Sequence, residues 1–133
     1  MNFDWINYLT LAEALENNPL QNILDEASYR TAASRAYYAA YHKALSLAKR
    51  EGYISSHSGD DHQQVQLHFS RAKSNEKIRR SIGENLDRLR DLRHKADYRD
   101  SLNASPRSLA SHANGMARWI IDHLKSLEES KTS

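Results

Sequence analysis

Four glycines and two prolines in 133 residues leave this chain few places to turn. An all-β domain needs turn residues roughly every 8–12 positions, and this sequence cannot supply them. Rossmann and P-loop phosphate cradles need clustered glycines, and none are clustered here. The expected class is therefore all-α: an antiparallel up-down bundle of four to five helices.

The length suits one domain, expected over residues 1–133. Apolar residues make up 39% and charged residues 27%, with a mean hydropathy of -0.82. That balance is water-soluble without being polar enough for disorder. No run approaches the ~18 apolar residues of a membrane span, so no membrane partner is expected. The opening MNFDWINYL has neither a basic stretch nor an apolar run, so no secretion signal is expected either. Cysteine is absent, which excludes disulfides, thiolate metal sites and Cys nucleophiles. A cytoplasmic protein fits these readings.

Periodicity divides the chain into five helices. The first is expected from about Phe3 to Asn17, stopped by Asn18-Pro19. The second follows Asp25 as N-cap and ends at Arg50, with Gly52 as the C′ residue. The third covers about Asp61 to Lys73, after a polar loop over Ile54–Gly59. The fourth begins near Asn75 and passes Ala96. The fifth opens with Ser105 as cap and Pro106 at the first helical position and runs to about Leu127, leaving 129–133 as a disordered tail.

Charge singles out the fourth helix. Residues 71–99 carry ten basic against five acidic side chains, a net of +5, whereas residues 1–70 carry five against eight, a net of -3. A basic helix in an acidic frame suits an anionic partner; a solvated helix with ordinary i,i+4 ion pairs has the same composition. Ile78, Ile82, Leu86, Leu89, Leu92 and Ala96 form its apolar stripe, and Arg93 falls inside that stripe at about 60° from Ile78. A core-facing arginine costs several kcal/mol unless paired. Asp97, at i+4, is the expected structural partner. His94 points away from the core. On the second helix an alanine-rich stripe reads as core, with Tyr37 and Tyr41 at or near it. Arg35, Tyr38 and His42 share a separate polar-aromatic face, suited to a partner, a cleft or plain surface.

Two segments resemble the HEPN domain family. Arg30-Thr-Ala-Ala-Ser34-Arg35-Ala-Tyr37-Tyr38-Ala-Ala-Tyr41-His42 is similar to the R-x-x-x-S-R-x-Y-Y-A-x-x-H run of one HEPN branch. Leu89-Arg-Asp-Leu-Arg93-His94-Lys95-Ala-Asp97-Tyr98 is similar to its L-x-x-L-R-x-x-A-D-Y. A weaker match is His62-x-x-Val65-x-x-x-Phe69. The resemblance covers about residues 3–127. It implies a four- or five-helix bundle that pairs as a homodimer. Active members are endoribonucleases that need no metal or other cofactor, with an arginine and, four to six residues on, a histidine at the dimer cleft. Arginine grips the scissile phosphate and histidine moves protons.

This sequence departs from that pattern. With Arg93 as the arginine, Tyr98 stands where histidine is expected, and a phenol of pKa near 10 is a poor base at neutral pH. Arg88 with His94 satisfies the spacing by count, but the two lie about 120° apart on a straight helix. The catalytic candidates are Arg93, His94, Tyr98 and Arg88. Candidates for binding RNA or a partner are Arg35, Tyr38, His42, Arg90 and Lys95, and Asp97 is structural. A silent HEPN module that binds RNA, nucleotide or a protein is the competing reading. The resemblance then implies a nucleotidyltransferase antitoxin as partner and Tyr98 as its adenylylation target. The His57–His62 stretch resembles metal ligands in composition only; it reads as a loop with Asp60 or Asp61 capping the third helix. His68 reads as surface or interhelical packing, and the His112/Trp119/His123 stripe as surface or dimer packing.

Overall fold

The computed structural model describes residues 3–18, 25–56 and 59–132, without the side chains of 131 and 132. Five helices run in order: α1 (Ile6–Asn17), α2 (Asp25–Arg50), α3 (Asp61–Ser70), α4 (Lys77–Tyr98) and α5 (Pro106–Thr132). The described residues contain no strand, and none of their helices is long and apolar enough to cross a membrane. The all-α bundle is as expected.

Helix α2 is the axis of the bundle, packed against α1, α4 and α5, while α3 lies mainly on α4. Its inward face is built from alanines 32, 33, 36, 39, 40, 44 and 48, all fully buried, with Tyr37, Tyr41 and Leu47 beside them. Such small side chains let the neighbouring helices approach closely. Phe69 and Val65 of α3, Ile82, Leu86 and Leu89 of α4, and Ile120 and Leu124 of α5 complete the core. At the α3–α4 crossing the backbones nearly touch. A Cβ on Gly83 would lie 2.5 Å from the Ser70 nitrogen and 2.8 Å from the Gln66 oxygen.

Local signals set most helix ends. Asp4 accepts the Ile6 N–H at 3.1 Å, so α1 starts three residues later than expected. Its expected stop at Pro19 lies outside the described residues. Gly52 takes φ +107 after α2, and its N–H bonds to the Lys49 carbonyl at 3.1 Å. Ser105 accepts the Ser108 N–H at 3.0 Å, capping α5.

Five expectations are corrected. Helix α3 ends at Ser70 and α4 starts at Lys77, because the chain must turn in the residues between. Ile78, in the first turn of α4, is 45% exposed; packing begins one turn later, at Ile82. Helix α5 continues to Thr132, so residues 129–132 are helical and only Ser133 lies outside the described part. Neither Asp60 nor Asp61 bonds as a side-chain cap on α3. Asp61 instead folds back on the preceding loop, accepting from the Tyr53 and Ser55 hydroxyls and the Ser56 N–H.

The end of α4 is held from α2. Arg30 pairs with Glu26 and donates to the carbonyls of Lys95, Ala96, Arg99 and Asp100. These carbonyls belong to the last turn of α4 and to the two residues after it, where helix acceptors run out of intrahelical partners.

Candidate functional site

Arg93 sits where the apolar stripe of α4 meets the polar-aromatic face of α2. Its side chain is 12% exposed. Nη2 donates to the Tyr38 hydroxyl at 2.8 Å, and Nε lies 3.6 Å from Asp97 Oδ2, a loose form of the expected clamp. Asp97 also accepts from Ser34 at 3.2 Å. A guanidinium has five N–H donors. Among the described residues Arg93 makes that one hydrogen bond, and its buried Nε makes none. The guanidinium also lies over three phenol rings, 5.7 Å from Tyr37, 5.3 Å from Tyr38 and 5.8 Å from Tyr98, which favours the cation.

The other motif residues divide into two sets. Tyr98 is 69% exposed, and its ring lies 5.4 Å from that of the exposed His94. Arg35 stacks between Tyr8 and Tyr38, at 4.9 and 5.0 Å. Tyr38 and Tyr98 lie against Arg93, with Arg35 on the first of these rings and His94 beside the second. Arg88 is not brought in: it is exposed and donates to Asn85 at 3.4 Å. Lys95 pairs with Asp91 at 3.2 Å and lines an apolar hollow with Leu102 and His112. His42 stacks on Trp5 at 3.4 Å, and burial first, then the charges of His62 and Lys49, hold its pKa near 4.

A residue of the weaker middle match, not among the candidate site residues, completes the constellation. His62, at the start of α3, bonds through Nδ1 to the Tyr37 hydroxyl and stacks on Tyr41 at 4.0 Å. With Gln63, Gln66, Asp87 and Arg90 these rings line a polar pocket of about 260 Å³. Burial, then the charges of Arg90 and Arg93, push the His62 pKa below the usual value. Burial also pushes the Tyr37 phenol up, so it stays protonated. The spacing of His62, Val65 and Phe69 held the signal, since it sets His62 on the face of α3 that turns inward. His57 and Ser58 lie outside the described residues. Among the described ones no three His, Asp or Glu side chains converge as metal ligands do. His68 bridges helices by bonding Glu51 at 2.8 Å, and His123 stacks on Trp119 at 4.0 Å.

No curated protein and no solved structure matches the chain. The family model described as HEPN domain matches residues 16–127. The match begins at the end of α1, takes in both motif segments and runs deep into α5. On that coverage, this chain belongs to the HEPN domain family.

Proposed function

We propose that this protein is a metal-independent endoribonuclease of the toxin or defence type, acting in the cytoplasm on RNA as a homodimer. Membership carries a nuclease or RNA-related role at family level, and HEPN domains commonly dimerise and bind RNA. The observation that carries the finer reading is the under-used guanidinium of Arg93, oriented by Tyr38 and Asp97 beside the exposed His94 and Tyr98. An oriented cation with unused donors is what a scissile phosphate needs as its charge grows. His94 exchanges protons with the reacting oxygens, Tyr98 donates a hydrogen bond, and the basic face of α4 with Arg35 holds the RNA backbone. Pairing two copies through the α4 face brings two such sets to one cleft.

Purified protein should cut single-stranded RNA in excess EDTA. Arg93→Ala should lower the rate about 10²–10³-fold, the usual loss when one charge-stabilising donor is removed. Cutting that survives both Arg93→Ala and His94→Ala rejects the site. A second reading, a catalytically silent module that binds RNA or a nucleotidyltransferase, is favoured by Tyr98 itself. It replaces the histidine of active members with an exposed phenol that an adenylyl group can reach. RNA binding without cutting by the wild-type protein selects that reading.

A further inference from the structure

The nuclease reading leaves the attacking 2′-OH without a committed base, because the family's histidine position holds Tyr98. The polar pocket lined by α2, α3 and α4 contains an imidazole outside the two main motif segments. His62 is fixed in direction by two side chains of α2. Its Nδ1 bonds to the Tyr37 hydroxyl, and its ring lies flat against Tyr41, with planes 14° apart. Arg93 is across the same rings: its guanidinium is 5.7 Å from the Tyr37 centroid and 5.3 Å from that of Tyr38, while His62 is 5.6 and 6.3 Å from them. Arg93 and His62 thus share Tyr37 and Tyr38 as neighbours within one subunit.

We propose that His62 is the general base of the reaction and His94 its general acid, an assignment that rests on the nuclease reading above. The base role requires the tautomer in which Nδ1–H donates to the Tyr37 oxygen, which leaves the Nε2 lone pair for the substrate. The 2′-OH proton passes to His62 Nε2 and the O2′–P bond forms. The P–O5′ bond then breaks, and protonated His94 gives its proton to O5′. The products are a 2′,3′-cyclic phosphate and a 5′-hydroxyl, with no co-reactant. The groups facing His62 are Tyr37 and Tyr41 from α2, Asp61 beside it on α3, and Asp87, Arg90, Arg93 and His94 from α4. Burial and the cations on α4 outweigh Asp61 and keep the imidazole neutral at pH 7, the form a base requires.

The test is cleavage of a single-stranded RNA oligonucleotide in EDTA by wild type, His62→Ala and His62→Gln, each first shown by thermal melting to fold. His62→Ala should lose about 10²–10⁴-fold in kcat with little change in KM. Added imidazole should restore part of the loss, and the acid limb of the pH–rate profile should vanish. His62→Gln, which can keep the Tyr37 bond, should be as inactive; if Ala unfolds, Gln carries the test. Wild-type rates in a folded His62 variant, or an unchanged acid limb, overturn this assignment alone. A wild-type protein that cuts nothing overturns the nuclease reading and this assignment with it.

Discussion

At the scale of single residues, burial decides the chemistry more than proximity of charge. Two histidines one helix apart, His42 and His62, are both pushed toward the neutral form, chiefly by loss of water. For His42 the folded value is about 4 against the usual 6.5. The unfolded chain then binds the extra proton first, so folding stability falls as the pH drops from about 6.5 to about 4. His42→Phe keeps a flat ring on Trp5 and removes the titration. Urea midpoints measured from pH 7 to pH 4 should fall less steeply in that variant than in the wild type; parallel curves would remove His42 from the account. Arg93, at 12% side-chain exposure, is faced by a hydroxyl, a carboxylate and three rings.

At the scale of helices, the α3–α4 crossing carries the sharpest constraint. Gly83→Ala brings a helix-favouring residue, yet its Cβ meets backbone atoms of Ser70 and Gln66 at under 3 Å. Overpacking against backbone should destabilise by about 1–3 kcal/mol. Gly115, also helical but with open space around it, should gain up to about 1 kcal/mol as Gly115→Ala. Denaturant titrations of the pair, side by side, check both signs. The helices themselves were legible in the sequence wherever the signal is local. Gly52 needs its positive φ, Ser105-Pro106 opens α5 by its own chemistry, and Arg93–Asp97 is an i,i+4 pair. The features that stayed hidden depend on contacts distant along the chain. Asp61 looks like a cap until Tyr53 and Ser55 fold back onto it. His62 reads as an ordinary first-turn residue of the third helix until Tyr37 and Tyr41 arrive from another helix. Leu127 looks like the end of α5, because nothing in the polar residues after it distinguishes a last helical turn from a tail.

At the scale of the whole molecule, the formal charge of +2 hides a polarised surface, with the cations gathered on α4 and the motif residues at its far end. The proposed function pairs two copies along α4, so that two such sets share one cleft. Sedimentation at micromolar concentration should therefore give twice the 15.3 kDa chain mass. Tyr98→Asp, which puts like charges on both sides of that face, should shift the population toward the single chain. A wild-type monomer at 15.3 kDa would remove the composite cleft.

The carbonyls that Arg30 gathers belong to the last turn of α4 and the residues just after it, while the guanidinium that gathers them belongs to α2. The stop mark of one helix is thus stored in another, more than sixty positions upstream. Insertions in the loops between them leave the reading frame of Arg93, His94 and Tyr98 untouched. One residue added within α4 ahead of Arg93 does not: it rotates the downstream turns by about 100° against a fixed anchor, and either the motif or the anchor has to yield.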